Sequence, residues 1–169
     1  IVDKNTQLCY NVNTMRLSTQ GRYAVRAMAD VALHAHEGPV PRAEIARRQG
    51  ISPDYIAQLF RQLERAGLVQ GVKGPRGGYR LTRPPSEITV GEIVRAVEGP
   101  IALVHCVAPD GERRCRRAEC CVTRRLWQQV SAAVADILDG VTLQDLCDQT
   151  MEEGQDLQDL QDSPILSIL

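Results

Sequence analysis

Two short amphipathic segments that meet at Gly50 constrain the fold of this 169-residue chain more than any other feature. Pro41 suits the first turn of a helix that runs through Arg48, and Gly50 suits the turn that ends it. The segment 51–68 then places apolar side chains at helical spacing and polar side chains on the opposite face. A short helix, a tight glycine turn and a second amphipathic helix predict a helix-turn-helix. The inward stripe of the second helix comprises Ile56, Leu59, Phe60 and Leu63.

A glycine-rich hairpin follows the second helix. The stretch 69-VQGVKGPRGGYRLTRP-84 predicts two short strands around a Gly-Pro-Arg-Gly-Gly turn, whose glycines permit the positive backbone angles of a hairpin tip. Four cations lie on this hairpin, and a purely structural hairpin needs no such concentration of positive charge. We therefore interpret it as the wing of a winged helix-turn-helix domain. The cations are Lys73, Arg76, Arg80 and Arg83.

Helical periodicity marks two further segments, one on each side of these elements. In residues 16–37, Ser18 or Thr19 is suited to cap the helix. In 89-TVGEIVRAVEG-99, Thr89 and Glu92 have the spacing of a capping box, which predicts a short helix that ends at Gly99. The predicted apolar stripe of the first helix comprises Val25, Met28, Ala32 and Ala35.

A longer helix is predicted from residue 122, where apolar residues recur at steps of three and four. Little core is left for it to pack on, so we interpret it as a dimerisation helix in preference to a helix packed on the first one. The predicted fold class is mainly α with a small β-hairpin wing, a winged helix-turn-helix domain plus a long dimerisation helix. The expected units are a flexible leader at 1–14, the winged helix-turn-helix DNA-binding domain at 15–100, a cysteine-rich cluster-binding loop at 101–121, the dimerisation helix at 122–147 and an acidic, disordered tail at 148–169.

Charge is distributed unevenly along a chain whose formal net charge is −1. Residues 15–83 contain twelve Lys or Arg against five Asp or Glu, whereas residues 136–169 contain nine acidic residues and no basic ones. A basic head with an acidic tail favours a polyanionic partner for the head, and the wing makes double-stranded DNA the expected one. No run of roughly eighteen apolar residues and no secretory signal pattern is present, so we expect a cytoplasmic protein without a membrane partner.

Four of the chain's six cysteines lie between residues 106 and 121, among several arginines. A reducing cytosol keeps thiols reduced, so clustered cysteines there bind metal or react more often than they form structural disulfides. Positive neighbours lower thiol pKa values and favour the anion that binds iron. An iron-sulfur cluster is the preferred interpretation, a cluster-free thiol switch the second, and a zinc site the third. These cysteines are Cys106, Cys115, Cys120 and Cys121.

These motifs together resemble the Rrf-type family of bacterial winged helix-turn-helix transcriptional regulators, and within it the iron-sulfur cluster regulators. The resemblance extends from residue 15 to about residue 146. It implies a homodimer that binds DNA, is not an enzyme, and holds an iron-sulfur cluster on three cysteines per subunit. It also implies that a change in the cluster alters DNA binding, and we expect oxidation, nitric oxide or iron scarcity to be the signal. The motifs are 15-MRLSTQGRYAVRAMADVAL-33, 44-EIARRQGIS-52, 74-GPRGGYRL-81, 89-TVGEIVRAVEG-99 and a C-x5-C pair followed by VTRRLW.

Carried over from the family onto this sequence, the cluster ligands are Cys106, Cys115 and Cys121. The gap between the first two is eight residues where the family pattern has five, an insertion that a flexible loop absorbs at small entropic cost. Arg124 stands where the iron-sulfur regulators carry a histidine ligand, and a guanidinium has no lone pair to give a metal. A related branch uses an acidic residue of the first helix, where this chain has Arg22.

The fourth position of the cluster is therefore open, as is the choice between a 2Fe-2S and a 4Fe-4S cluster. A residue of the partner subunit or an exogenous group is one way to fill it. The candidates within the cysteine segment are Cys120, His105 and Glu119.

The exposed residues of the second helix and of the wing are the predicted DNA contacts. Asp54 suits a cytosine amino group, Gln58 suits bidentate pairing with adenine, and Tyr55 suits a phosphate or a thymine methyl group. The cations suit phosphates or, at the wing tip, the minor groove. The family carries a glutamate at the position of Ala57, so its operator sequence does not transfer directly. The full predicted set is Ser52, Asp54, Tyr55, Gln58, Arg61, Arg65, Lys73, Arg76 and Arg80.

Two other classes of protein compete with this interpretation. A small iron-sulfur redox protein or electron carrier has no use for a basic wing, and neither a nucleotide-binding loop nor a catalytic dyad is present. We accordingly expect no small-molecule substrate. A protein–protein adaptor is the other class, because it can use the winged fold without DNA. Steep salt dependence of binding to duplex DNA separates a DNA reader from both.

Overall fold

Helices form most of the computed structural model, which describes residues 18–109, 115 and 117–150. Two antiparallel strands add a hairpin, so the elements are those that the sequence predicts. Among the described residues, no helix has the length and apolar character needed to cross a bilayer. In chain order the elements are α1 (Thr19–Leu33), α2 (Arg42–Gln49), α3 (Pro53–Arg65), β1 (Val69–Val72), β2 (Gly78–Leu81), α4 (Val90–Glu98), α5 (Arg124–Asp139) and α6 over 143–150.

The first helix begins at a capped end and turns a small-residue face inward. The Ser18 hydroxyl accepts a hydrogen bond from the backbone NH of Gln20 at 3.0 Å, as an N-cap residue does. The predicted stripe of α1 is confirmed only in part: Met28 is fully buried and Val25 and Ala32 are half-buried against the core, but Ala35 lies in an exposed turn after the helix. The buried residues are Gly21, Ala24, Ala27, Met28, Asp30 and Val31.

The third helix buries the stripe that the sequence predicts. Its four apolar residues are fully buried, and they lie in the same core as the inner face of α1. The helix begins at Pro53, where the Ser52 hydroxyl accepts a hydrogen bond from the backbone NH of Tyr55 at 3.3 Å. Gly50, between α2 and α3, has φ of 65°, a left-handed conformation that glycine adopts without strain. The α2–turn–α3 unit is the predicted helix-turn-helix.

A buried ion pair holds α2 against α1. Asp30 is only 3% exposed, and Arg48 donates to both of its carboxylate oxygens, at 2.8 and 2.7 Å. The side-chain amide of Gln49 donates a further hydrogen bond to Asp30 at 3.1 Å. Because α2 buries only Ile45 and Ala46, this polar contact fixes the position of a helix with little apolar surface of its own.

The wing is attached to the helical core through its second strand. The backbone of Tyr79 exchanges two hydrogen bonds with Val40, each of 2.8 Å, and its ring centroid lies 4.2 Å from that of Phe60. Beside it, Gly78 pairs with Val72 of β1. A Cβ atom at Gly78 would lie 2.2 Å from the carbonyl oxygen of Val40, so no side chain fits there. The glycines of this hairpin thus serve its docking as well as its tip.

The chain returns to the winged domain after α5. The backbone NH of Val90 donates to the carbonyl of Val141 at 2.8 Å, and that of Leu143 donates to the carbonyl of Ile88 at 2.9 Å. Leu143 is fully buried in the same core as α1 and α3. The segment 122–147 therefore divides into α5 and the start of α6, and α6 belongs to the winged domain's core.

The fifth helix is connected to the rest of the chain at its C-terminal end and near its middle. At its C-terminal end, Asp139 accepts hydrogen bonds from Arg95 of α4 at 2.6 and 2.7 Å. Nearer its middle, the Ser131 hydroxyl accepts one from the backbone NH of Leu103 at 3.1 Å. Its outer face leaves large apolar side chains open to solvent. Together with the residue that precedes the helix by two positions, these are Val122 (94% exposed), Leu126 (51%), Trp127 (37%) and Ile137 (67%).

Parts of the predicted terminal units lie outside the described residues. The leader, 1–14, and residues 151–169 of the tail are in this category, whereas residues 148–150 continue α6. The cysteine-rich loop at 101–121 is described at 101–109, 115 and 117–121, and it contains a 3-10 turn at His105–Val107.

Replacement of Gly78 by alanine should destabilise the wing, because the new methyl group collides with the backbone of Val40 and not with a movable side chain. We expect a loss of about 1–3 kcal/mol or more in the free energy of unfolding, measured with urea. Gly71→Ala in the same hairpin is the matched control, because its nearest neighbour is the end of the Glu64 side chain at 3.3 Å. Equal losses for the two variants would contradict this account.

Replacement of Gly91 by alanine should disturb the contact between α4 and α5. The added Cβ atom would lie 1.9 Å from the Asp139 carboxylate, which must then leave Arg95. We expect Gly91→Ala to cost less stability in an Asp139→Ala background than alone, with a coupling of about 0.5 kcal/mol or more in a double-mutant cycle. Additive effects would show that the two positions do not interact.

Candidate DNA-binding face and cysteine site

The outer face of α3 is polar and open to solvent. Asp54, Gln58, Arg61 and Arg65 are all exposed, on the side opposite the buried stripe. They extend from the first turn of the helix to the last. Arg61 lies along the helix, its Nε donating to the carbonyl of Ala57 at 3.2 Å. A carboxylate, an amide and two cations on one exposed helix face provide groups for base edges and for phosphates.

Two of the predicted DNA contacts are already engaged within the domain. The Ser52 hydroxyl serves as the N-cap of α3. The Tyr55 ring is half-buried and packs edge-on against Tyr23 of α1, with 6.1 Å between centroids. Only the exposed part of each side chain is available to a partner, so the freely exposed residues of α3 are the better candidates for base recognition.

The wing tip presents two exposed cations, Lys73 and Arg76. Between them Gly74 has φ of 119°, a conformation that side-chain-bearing residues rarely adopt. Arg80 lies further along β2, where its guanidinium donates to the side-chain oxygen of Gln70 at 3.1 and 2.6 Å. Lys73 and Arg76 are therefore exposed on a turn of defined conformation, whereas the guanidinium of Arg80 is held by Gln70.

A cation that the sequence analysis missed lies beside the wing. Arg42, the first residue of α2, lines a cavity of about 410 Å³ between α2, α3 and the hairpin, together with Lys73 and Tyr79. Burial raises the pKa of the Tyr79 phenol, so it stays a neutral hydrogen-bond donor. Glu64, which also lines the cavity, accepts a hydrogen bond from the backbone NH of Gly71 at 3.0 Å. The available signal was the position of Arg42 at the start of the first helix of the helix-turn-helix.

The structure places the three predicted cluster ligands in one neighbourhood. Cys106 lies in the turn His105–Val107, which packs against α5. Burial raises the pKa of its thiol, and the nearby charges of Cys115 and Cys121 raise it further. A hydrogen bond with the Thr123 hydroxyl, 3.4 Å from sulfur to oxygen, lowers the pKa of the Cys121 thiol. Over residues 18–109, 115 and 117–150, no three His, Cys, Asp or Glu side chains form a ready-made metal site.

The donor chemistry of this neighbourhood fits an iron-sulfur cluster. Thiolates are the ligands that such clusters take, and neighbouring thiolates repel one another unless a cation is shared between them. Cys147 differs in its setting, because it is only 6% exposed and burial raises the pKa of its thiol. It is a small apolar residue of the core and no part of the cysteine site.

The candidates for a fourth ligand differ in their surroundings. Cys120 is exposed, with its sulfur 3.8 Å from the carbonyl of Arg117, and Glu119 is exposed as well. In contrast, Nδ1 of His105 is a buried atom for which the described residues provide no hydrogen-bond partner. Leaving such a nitrogen unpaired costs roughly 1–3 kcal/mol. Arg124 lies near enough to Cys106 for its charge to offset part of the rise in the pKa of that thiol.

Gln20 of α1 connects α3 to the end of α4, from which the cysteine segment follows. Its side-chain amide donates to the Gln62 side chain on α3 at 3.3 Å and to the carbonyl of Val97 on α4 at 3.2 Å. The next residue of α4, Glu98, accepts a hydrogen bond from the backbone NH of Gly21 at 2.9 Å. Polar contacts therefore run from the helix that carries the predicted base contacts to the residues that precede the cysteines.

Comparison with known proteins assigns the chain to a family. Residues 17–149 match the family model Rrf2, described as an iron-dependent transcriptional regulator. The chain belongs to the Rrf2 family. The Rrf2 regulators are DNA-binding transcriptional regulators and not enzymes, so the family resemblance and the regulatory class expected from the sequence are confirmed.

Individual Rrf2 regulators are similar to this chain over most of its length. The HTH-type transcriptional regulator IscR of Aliivibrio salmonicida is 46% identical over 147 residues, which are 86% of each chain. The solved structure of T. potens IscR has 38% identity and a TM-score of 0.67, and the match covers 82% of this chain and 90% of that one. CymR, the global cysteine regulator of B. subtilis, has 36% identity and a TM-score of 0.68, covering 80% and 98%.

Proposed function

We propose that this Rrf2 regulator is a cytoplasmic homodimer in which an iron-sulfur cluster on Cys106, Cys115 and Cys121 controls binding to duplex DNA. The observation that carries the proposal is the position of these thiols between the winged domain and α5. Cys106 lies in a turn that packs on α5, and Cys115 and Cys121 are near enough for their charges to raise the pKa of its thiol. Oxidation, nitric oxide or iron scarcity is the signal. Both a 2Fe-2S and a 4Fe-4S cluster suit three thiolates and one further ligand.

Binding to DNA uses the exposed face of α3 and the wing together. Asp54 and Gln58, exposed in the first half of α3, have the acceptor and amide groups that recognise cytosine and adenine edges in the major groove. Lys73 and Arg76 at the wing tip supply cations for phosphates or the minor groove. Arg42 extends the same cationic surface along α2. The other contacts of the proposed set are Ser52, Tyr55, Arg61, Arg65 and Arg80.

The partner that covers the outer face of α5 is a second copy of the chain. Val122, Leu126, Trp127 and Ile137 are exposed apolar side chains at helical spacing, which water disfavours and a copy of the same stripe covers. A two-fold dimer of this kind presents two α3 helices to half-sites about one DNA turn apart. The spacing of the two heads then depends on the angle at which α5 leaves each winged domain.

We expect the cysteine segment to change the angle at which α5 leaves the winged domain. When bound, the cluster supplies a centre whose charge and integrity respond to oxidants, nitric oxide and iron supply. The remaining steps depend on contacts made by the chain's own residues. The turn that contains Cys106 packs on α5, and Leu103 just before it is hydrogen-bonded to Ser131 of α5. Gln20 connects the preceding helix to α3. Rearrangement of this turn therefore acts on both α5 and the DNA-reading helix.

Two substitutions should separate phosphate contacts from base contacts. Arg76→Ala should weaken binding to every duplex and reduce the slope of log Kobs against log salt concentration by about 1. Gln58→Ala should leave that slope unchanged and relax sequence preference by about 1–3 kcal/mol at one position. Fluorescence anisotropy with a selected duplex library at several salt concentrations measures both. A slope that is flat for the unmodified protein would indicate an adaptor or an electron carrier, not a DNA reader.

Substitution of Cys106, Cys115 or Cys121 by alanine should remove the cluster. For each variant purified without oxygen we expect loss of iron, of acid-labile sulfide and of visible absorption. We also expect the Kd for DNA to change by several-fold to about a hundredfold, the usual range of allosteric coupling. Cys120→Ser is the matched control, because this neighbouring thiol is exposed, and it should keep the cluster.

The iron and sulfide content of the unmodified protein distinguishes an iron-sulfur cluster from a cluster-free thiol switch. A brown protein that contains iron and sulfide supports the cluster. A colourless, metal-free protein whose DNA binding changes on oxidation would instead support a thiol switch. Identical DNA binding by the cluster-loaded protein and the Cys106→Ala variant would remove the sensing role altogether.

A further inference from the structure

We propose that His105 is the fourth protein ligand of the cluster, bound through Nδ1. This inference rests on the proposed function, since it names one more ligand of the same site. The observation behind it is that Nδ1 of His105 is buried and has no hydrogen-bond partner among the described residues. An imidazole nitrogen that is shielded from water and makes no hydrogen bond can offer its lone pair to a metal.

The place of His105 in the chain suits this role. It begins the turn His105–Val107, so the imidazole is carried by the same backbone turn as the thiol of Cys106. The turn is closed by the backbone NH of Ala108, which donates to the His105 carbonyl at 3.1 Å, and it packs on α5. Adjacent residues bind a single ion poorly, but a cluster offers more than one iron, so neighbours can each bind a different one.

The alternatives within the chain are less suitable. Arg22 and Arg124 cannot coordinate iron, because a guanidinium has no lone pair to give a metal. Cys120 has an exposed sulfur next to the carbonyl of Arg117. Glu119 is exposed to solvent.

The binding step is a simple coordination. Coordination would use the Nδ1 lone pair, with the ring proton on Nε2, and would transfer no electron. Where a nitrogen ligand replaces a sulfur ligand, the reduction potential of the cluster is higher than with thiolates alone. Sensing through such a cluster occurs in a less reducing range than through one held only by cysteines.

The chain's histidine content permits a direct test. The chain contains three histidines, which are His105 and, just after α1, His34 and His36. A His34→Gln/His36→Gln variant, produced without a histidine tag, therefore has His105 as its only histidine. The full-length variant is labelled with nitrogen-15 histidine, purified without oxygen, reduced with dithionite and examined by pulsed electron paramagnetic resonance. We expect a strong hyperfine coupling between the cluster and nitrogen-15.

Two substitutions of His105 itself provide a complementary test of the assignment. His105→Cys should restore a four-ligand cluster without the nitrogen coupling, with a lower reduction potential than the unmodified protein. His105→Ala should lose the nitrogen coupling or the cluster itself. A reduced cluster without strongly coupled histidine nitrogen in the His34→Gln/His36→Gln variant would overturn the inference and leave the three-thiolate cluster intact. Absence of iron and sulfide from the unmodified protein would overturn the proposed function itself.

Discussion

The buried carboxylate of Asp30 is the interaction on which the geometry of the DNA-binding half depends. The short helix α2 has little apolar surface to hold it, yet it must set the direction of α3 through a turn of only a few residues. The two-pronged contact of Arg48 with Asp30 fixes α2 on α1 in both position and rotation. A buried ion pair is a poor source of net stability, because desolvation offsets most of the attraction. Here the ion pair serves to fix the orientation of α2 on α1.

The regulatory half depends on contacts between the ends of elements. Gln20 bridges α3 and α4, Glu98 reaches the start of α1, and Asp139 joins the end of α5 to α4. Gly91 matters for the same reason, because a side chain there would occupy the space of the Asp139 carboxylate. The proposed rearrangement of the turn between α4 and α5 would therefore act on polar contacts, which have discrete partners.

Local patterns made much of this fold predictable. The stripe of α3, the capping box at Thr89 and the glycine-rich wing each follow from neighbours in sequence, and each is present. The buried face of α1 was predictable only in part in this way, because its alanines, which differ little from one another in hydrophobicity, face the core through contacts with distant helices. The same limit applies to Arg42, whose place beside the wing depends on how the hairpin packs.

The same distinction between local sequence patterns and packing applies to the cysteine site. The proposed set of ligand thiols came from spacing and resemblance, whereas the buried nitrogen of His105 is visible only once the turn is packed on α5. Spacing in sequence gives the type of a donor, but burial and lost hydrogen bonds depend on the surrounding fold. The half-buried ring of Tyr55, predicted to face outward, illustrates the same point.

The return of the chain at residues 141–143 ties the C-terminal end of α5 to the winged domain. This end is secured by backbone hydrogen bonds to Ile88 and Val90 and by the buried side chain of Leu143, so α5 cannot swing away as a free arm. Anchored near its middle by Ser131 and at its C-terminal end, α5 can tilt or roll only by small amounts. In the proposed homodimer, even a small rotation of α5 would change the separation of the two wings.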